Sequence, residues 1–474
     1  MKKSISIIGL GKLGAPMLAV FSSKGYKVIG VDINQSVVDI ISLGLAPINE
    51  PQMDQFLKLG KGNYLVTKSV ADAVTNSDVT FIIVPTPSKS DGFFDNSYLL
   101  KALEEVGAIL AKKNKWHNVV VTSTVMPGSM SGELRERIET SSDKRAGIDF
   151  GFCYNPEFIA LGSVIHDMLN PDLVLIGESD AKSGEILAEL YSSICNNKPK
   201  IKRMSWAEAE ITKLAVNTFV TTKISFANML SELCEKIPGT DVDVISDAIG
   251  CDTRIGSKYL TGAVAFGGPC FPRDSKAFDA LGRNLGVCTG IASATHFTNE
   301  HQTRRIIEKV TSLTTNKKST IGIVGLTYKN GTPVIEESAG SKLAFELVER
   351  GFLVGAHEPC LRVSVLKALH EGLQVFDDLQ SIVSWSDIIV FMNANETVKR
   401  ELESFRALSG ENKVFIDPWR FLDASKFPVN VNYIPMGVGV VALGENKCKE
   451  EASPEKQFFD IVPDGLLRQR SATV

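Results

Sequence analysis

The sequence predicts an α/β protein in which two doubly wound domains are joined by a long central helix and a small all-helical middle region. Three observations predict it. Over residues 1–120, short β-branched runs alternate with helical stretches, which reads as βαβ units feeding a parallel sheet. A strand followed by glycine opens the chain at Ile5–Gly9 and recurs at Ile321–Gly325. Between the two, a helical pattern runs unbroken from Ser205 to about Lys236. With 474 residues the chain is too long for one core. The expected divisions are 1–203, 204–312 and 313–443, followed by a charged, poorly patterned and weakly ordered tail over 444–474.

The first domain is expected to carry strands at Ile5–Ile8, Lys27–Val31, Val79–Val84, Val119–Thr122, Gly151–Tyr154 and Leu173–Ile176. The long helix has a well-specified start, because Ser205 followed by Glu208 forms a capping box, and Pro238-Gly239 stops it. Leu214, Phe219, Ile224, Phe226 and Leu230 place apolar groups on more than one of its faces, as expected for a helix buried between domains or subunits, here a dimer-forming element. The polar stretch Thr311–Ser319 then leads into the second α/β unit. Both units carry a Ser-Asp pair before an apolar strand, Ser77-Asp78 and Ser386-Asp387, so they read as related; the second lacks the full glycine fingerprint.

Composition limits the partners. An apolar content of 44% and a charged content of 22% describe an ordinary globular protein. A net charge of −4 gives no bulk attraction to nucleic acid or to an anionic membrane. The eight cysteines are scattered without a C-x-x-C pair, which fits reduced thiols in the cytoplasm better than a disulfide framework. Gly9, Gly11 and Lys12 interrupt the apolar start, so a buried first strand is expected there rather than a secretory signal, and no apolar run is long enough to span a bilayer. The six histidines have no ligand spacing, and no metal site is expected.

The motifs that carry the chemistry begin at the amino terminus. Gly9-x-Gly11-x-x-Gly14 follows a strand and opens a helix, and the next strand ends at Asp32. The first glycine permits a tight turn, the second admits a pyrophosphate, and the third lets helix and strand pack, with Lys12 and Leu13 on the same turn. Asp32, about 20 residues on, would accept from the adenosine ribose hydroxyls, and its charge repels a 2′-phosphate, which favours NAD over NADP. The domains are therefore expected to be Rossmann-like. Pro85-Thr86 and Ser123-Thr124 follow strands at the carboxyl ends where open α/β sheets bind ligands, although each alone is as compatible with a simple turn.

On the long helix, Glu210, Lys213, Asn217 and Thr221 share one face. A cation and an amide donor on that stripe could stabilise an oxyanion and depress a nearby thiol pKa; a solvated face with a Glu–Lys pair is the ordinary alternative. Cys270 lies between the Gly267-Gly268 pair and a proline-braced Arg273-Asp274. Glycines let backbone approach a ligand closely, so the setting suits a covalent nucleophile, the alternative being a buried, inert thiol. A free thiol has a pKa of about 8.5, so Cys270 needs positive charge nearby. Arg254, Lys258, Tyr259 and Lys329 form a set of edge groups suited to a diphosphate.

With these motifs in order, the chain resembles the UDP-glucose/GDP-mannose dehydrogenase family from residue 1 to about 440. The carriers are Gly9–Gly14 with Asp32, Val84–Pro87, Ser123–Gly128, Asn155–Phe158, Lys213 with Asn217, Arg254–Gly256, the Cys270 loop and Gly325–Lys329. The resemblance implies an NAD-dependent four-electron oxidation of a sugar C6 alcohol, with UDP-glucose the first choice and a UDP-N-acetylhexosamine or GDP-mannose the alternatives. It implies Cys270 as nucleophile, Lys213 and Asn217 as oxyanion partners, Asp274 working with Lys213 on water and protons, Thr124 placing water or cofactor, and Glu157 as the base for hydrolysis. Pro85 and Thr86 join Gly9, Gly11, Lys12, Leu13, Gly14, Asp32 and Thr124 around NAD. Phe158, Ile159, Tyr259, Gly267 and Lys329 would line the nucleotide-sugar site together with Arg420, while Arg254 would reach it from the partner subunit of a homodimer or higher homo-oligomer built through the central helix.

The chain departs from the family pattern at Leu161, where a carboxylate is usual, and at Glu336, where an arginine is usual. The Pro269-Cys270-Phe271-Pro272 loop is closer to the glucose and mannose types than to the N-acetylhexosamine type. Two other readings stand beside this one: a two-electron hydroxyacid-type dehydrogenase, and a catalytically silent nucleotide-sugar-binding protein.

Overall fold

The computed structural model describes residues 2–314, 316–405 and 412–440; the tail expectation falls outside them. Among the described residues the first sheet contains β1 (Ile5–Ile8), β2 (Val28–Val31), β3 (Tyr64–Thr67), β4 (Val79–Ile82), β5 (Asn118–Val121), β6 (Gly151–Tyr154), β7 (Leu173–Glu178) and β8 (Lys200–Met204), in the order β3-β2-β1-β4-β5-β6-β7-β8. All neighbours are parallel except β6 and β7, which pair antiparallel. Helices cover both faces, so β1, β4, β5 and β6 are buried along their whole length rather than alternating, with the polar Ser6 and Thr80 hydrogen-bonded to each other. One face packs Phe21 against Phe81 with rings 5.5 Å apart, and the other buries Leu103, Val121 and Phe152. Each such side chain contributes about 1.5–3 kcal/mol.

The strands end where the expectation placed them to within two residues, with one instructive case. β4 stops at Ile82 rather than Val84 because the Ser123 hydroxyl takes over the Val84 backbone, accepting from its N–H at 3.0 Å and donating to its carbonyl at 2.6 Å. β3 and β8 were not legible in the sequence because both are half-exposed, β3 being only four residues long and β8 interrupted by charge at Lys200, Lys202 and Arg203.

The second sheet contains β9 (Thr320–Val324), β10 (Leu353–His357), β11 (Leu373–Val375), β12 (Ile388–Phe391), β13 (Lys413–Asp417) and β14 (Val431–Pro435). Its order, β11-β10-β9-β12-β13-β14, is all parallel and repeats the order of the first six strands of the first sheet. The repeated Ser-Asp pair does the same work twice. Asp78 accepts from the Ser4 N–H and hydroxyl, and Asp387 from the Thr320 N–H and hydroxyl, locking each first strand to its neighbour.

The long helix Trp206–Lys236 starts with the expected capping box between Ser205 and Glu208. It packs against the helices Phe271–Asn284 and Gly290–Ser312. Leu214 and Ala227 are buried, whereas Ile211, Phe219, Phe226, Met229 and Leu233 are exposed, so this chain covers only part of the apolar surface. Among the described residues no helix is long and apolar enough to cross a membrane.

Candidate active site

The turn after β1 is shaped by what a Cβ would meet. Gly9 holds φ +96°, and a Cβ there would lie 2.1 Å from the Ile83 carbonyl oxygen; one on Gly14 would lie 1.8 Å from the Gly9 oxygen. Both positions are closed by the protein itself. A Cβ on Gly11 would meet nothing within 4 Å, so its smallness serves no contact inside the chain and leaves room for a ligand. The helix Gly14–Ser23 begins at Leu13 with no side-chain cap, which leaves its amides available to an anion, and Gly11 and Lys12 are exposed beside them. Asp32 ends β2 with one carboxylate oxygen accepting from Leu10 N at 2.8 Å and the other from Asn34 N at 2.8 Å. These groups fit NAD: amides for the pyrophosphate and a half-exposed carboxylate for the ribose. Pro85-Thr86 and Thr124 close the neighbouring strand ends, with the Thr86 hydroxyl donating to the Thr124 carbonyl at 2.8 Å.

Cys270 caps the N-terminus of the helix Phe271–Asn284, whose second residue is Pro272, and it is open to solvent rather than walled into a core. Four positions after Cys270, one helical turn on, the buried Asp274 stands against the long helix, where Asn217 Nδ2 donates to its Oδ2 at 2.6 Å. Protein on most sides of the sulfur lifts the thiol, as does Asp274; Lys213 and Arg273 pull it down, and Glu336 raises it again. The helix N-terminus favours the thiolate in the same direction as the two cations.

The stripe Glu210, Lys213, Asn217 and Thr221 is buried, not solvated. Glu210 turns away from chemistry: it accepts from Gly128 N and Met130 N, each at 2.7 Å, and ties the long helix to the loop after β5. Lys213 Nζ donates to the Glu157 carbonyl at 2.7 Å and lies 4.6 Å from the centre of the Phe158 ring. Glu157 sits half-buried after β6 with its Oε1 2.6 Å from the Tyr191 hydroxyl. Burial raises its pKa; the Tyr191 hydroxyl and Lys213 oppose that rise without cancelling it.

The second sheet reaches this group through the loop after β9. Gly268 N donates to the Glu336 carbonyl at 3.0 Å, and a Cβ on Gly268 would lie 2.6 Å from the Tyr328 ring. A Cβ on Gly267 would lie 2.2 Å from the Glu337 carbonyl oxygen. The glycine pair therefore admits a loop of the same chain, the loop that also carries the exposed Lys329. Tyr259, with φ +65°, stands edge-on to Phe271 at 6.3 Å. Ile159 and Leu161 pack on the first core, and the buried Glu50 holds that loop by accepting from Gly162 N and Val164 N.

Two arginines read as substrate ligands are engaged elsewhere within this chain. Arg254 is exposed and pairs with Asp252 at 2.6 Å, pointing to solvent. Arg420 has all three guanidinium nitrogens taken: Nε and Nη2 by Asp243 at 2.8 Å, and Nη1 by the Pro418 and Met436 carbonyls at 2.7 and 2.9 Å. Within this chain it clamps the turn after β13 to the helix Val242–Gly250. Lys258 pairs with Asp172.

Two residues of the site, Tyr191 and Tyr328, were given no role from the sequence, and Arg273 was read only as a brace beside Cys270. Arg273 donates to the Thr86 carbonyl at 3.3 Å and lies 4.6 Å from the centre of the Phe94 ring, tying the cysteine helix to the first sheet; its neighbour Asp274 was the available signal. Tyr191 and Tyr328 carry no local signal, because only the folded chain brings them to Glu157 and Gly268.

Models of one family cover most of the chain: the NAD binding domain of the UDP-glucose/GDP-mannose dehydrogenase family matches residues 3–195, its central domain 207–301 and its UDP binding domain 322–424. The chain is similar to a GDP-mannose 6-dehydrogenase of Pseudomonas aeruginosa, 32% identical over 83% of this chain and 92% of that protein. It is equally similar to a UDP-glucose 6-dehydrogenase of Haloferax volcanii, 32% identical over 86% of this chain and 93% of the relative. Its fold superposes on a UDP-glucose dehydrogenase from Pyrobaculum islandicum with a TM-score of 0.82 at 31% identity, covering 93% of this chain and 98% of that one.

Proposed function

Because this chain belongs to the UDP-glucose/GDP-mannose dehydrogenase family and its cofactor is NAD, we propose that it oxidises the C6 alcohol of a nucleotide sugar to the carboxylate, with UDP-glucose as the first substrate. The observation that carries the reading is Cys270: a solvent-open thiol at a helix N-terminus, under the influence of Lys213 and Arg273, with Asn217 and Asp274 packed behind it.

NAD, when bound at Gly9–Gly14 and Asp32, accepts the hydride in each of the two oxidations. The first oxidation takes a hydride from C6 and a proton from its oxygen, leaving an aldehyde, with Asp274 and Lys213 handling the proton. The Cys270 thiolate then forms a C–S bond to that carbon, and the charge moves to the oxygen, where Lys213 and the Asn217 amide stabilise it. The second oxidation leaves a thioester on Cys270. Glu157 removes a proton from water, the water oxygen bonds to the carbon, and the C–S bond breaks with sulfur leaving as thiolate. Thr124 helps to place that water or the cofactor. Phe158, Ile159, Tyr259, Gly267 and Lys329 would line the sugar-nucleotide site.

The exposed apolar side chains of the long helix support a homodimer, from whose second copy Arg254 would reach the diphosphate. The same reading divides the chain at 1–203, 204–312 and 313–443. Counting NADH released with UDP-glucose, GDP-mannose and UDP-N-acetylhexosamines tests it. Two equivalents per sugar are expected; one equivalent indicates the simpler two-electron enzyme, and none with any nucleotide sugar indicates a silent binder. Cys270→Ser should abolish acid formation and leave NAD binding unchanged, and wild-type acid yield in that variant would sink the thioester route.

A further inference from the structure

The surroundings of Glu157 contain one proton fewer than an ionised carboxylate needs. Asn155 Nδ2 donates to the Leu175 carbonyl at 2.9 Å, and since a carbonyl can only accept, the amide is oriented with its oxygen towards Tyr191. That oxygen lies 2.6 Å from the Tyr191 hydroxyl. The same hydroxyl lies 2.6 Å from Glu157 Oε1. A phenol has one proton and cannot supply both acceptors. Were Glu157 ionised, one of these short oxygen–oxygen contacts would hold no hydrogen, a costly arrangement for buried polar groups. A consistent assignment puts the missing proton on the carboxyl: Glu157 donates to Tyr191, and Tyr191 donates to Asn155.

We propose that Tyr191 and Asn155 are positioning residues that hold Glu157 as a neutral acid in the resting enzyme, so that it becomes the base for thioester hydrolysis only after releasing its proton to solvent water. The inference deepens the reading of Glu157 given above and rests on it for the word base, although the proton count does not. Burial opposes the ionised form of this carboxyl, and of the other groups facing it Lys213 favours that form. On the helix Ala181–Ile194, Tyr191 is buried, and beyond that helix lies the Cys195 thiol, lifted chiefly by its own burial. From the long helix, Lys213 places its Nζ on the Glu157 carbonyl rather than on the carboxylate. Burial, ahead of any neighbour, lifts both Glu157 and Tyr191.

Two measurements test it. Infrared spectra of the full-length enzyme with NAD bound, at neutral pH, should contain a protonated-carboxyl stretch that disappears in Glu157→Gln; no such difference overturns the proposal whatever the enzyme's substrate. Tyr191→Phe removes the acceptor of the Glu157 proton, so the acidic limb of the kcat–pH profile should move down by about one pH unit, tenfold in proton concentration, the scale of one hydrogen bond. A limb displaced upward means that Tyr191 donates to an ionised Glu157. A limb that stays put, with only a lower melting temperature, means that Tyr191 merely packs. Either result refutes the proposal. Should Tyr191→Phe fail to fold, the infrared comparison still decides, and acid formation by a Cys270→Ser variant would sink the thioester reading without touching the infrared result.

Discussion

The two sheets open with the same turn and use it for different ends. Gly9 and Gly325 both follow the first strand with φ of +96° and +100°. Gly14 and Gly340 both press a helix onto that turn, with a Cβ reaching 1.8 Å and 2.1 Å from the carbonyl of the first glycine. In the first sheet the second glycine follows five positions after the first; in the second sheet it follows fifteen positions after. The added residues form the loop that carries Tyr328 and Glu336 to the cysteine. The helix starts differ accordingly: the first has no side-chain cap, whereas the second is capped by Ser338. One frame keeps its amides for a dinucleotide, and the other satisfies them internally and extends a loop.

The carboxylates at the second strand ends show the same division. Asp32 makes one bond to the turn, from Leu10 N, and stays half-exposed. Glu358, one methylene longer and buried, accepts from Leu326 N, Thr327 N, the Thr327 hydroxyl and Cys360 N. It is saturated by its own chain.

The sharpest way to break the comparison is to fill the glycines. Gly14→Ala and Gly340→Ala should each cost about 3 kcal/mol or more, because backbone has to move to admit the methyl group. Gly11→Ala should stay within about 0.5 kcal/mol of wild type in denaturant melts while NAD affinity drops at least tenfold by calorimetry. Equal stability losses at all three positions would show that the open space at Gly11 is not kept for a ligand.

Glu358→Ala strips buried donors of their acceptor and should destabilise by about 3 kcal/mol with NAD affinity unchanged. Asp32→Ala should do the reverse, losing about 1 kcal/mol of stability and most of the NAD affinity. Matching phenotypes would erase the distinction between the sheets.

A smaller contrast lies in the Ser-Asp pairs. Burial would raise Asp78, but hydrogen bonds from Lys115 and Ser4 hold it at about 2. A carboxylate depressed in the folded state stabilises above its unfolded pKa, about 3.9, and loses that contribution as pH falls towards 2. After allowance for solvent screening of a partly exposed pair, Asp78→Asn should cost about 1–2 kcal/mol at pH 7 and little at pH 2. A pH-independent difference in urea melts would mean that charge plays no part.

The smallest expected effect falls on the loop itself. Glu336 raises the Cys270 thiol, so Glu336→Gln should increase thiolate and speed alkylation by iodoacetamide at neutral pH roughly twofold to threefold. A slower reaction would show that the substitution acts by shifting the loop rather than through charge.

Much of this was legible in the sequence where the signal is local. Strand ends, the Ser205 cap, the glycine fingerprint with Asp32 and the face shared by Lys213 and Asn217 all depend on neighbours a few residues apart. Edge strands β3 and β8 escaped because half-exposed backbone pairing needs no apolar pattern. Glu210 shared the right face and turned out to hold backbone amides, since periodicity gives direction but not partner. Tyr191, Glu50 and Tyr328 reach the site from elements distant in the chain, so only packing reveals them. Arg420 sat at a plausible position, yet its guanidinium is filled by Asp243 and two carbonyls.

The seating of Tyr328 on Gly268 has a mechanical corollary. The nucleophile's loop is pinned to the second half by that ring and by the hydrogen bond from Gly268 N to the Glu336 carbonyl, and to the first half by Arg273, which donates to the Thr86 carbonyl and lies over the Phe94 ring. Because the sulfur's loop is held from both halves at once, any change in the angle between the two sheets would move the sulfur with it.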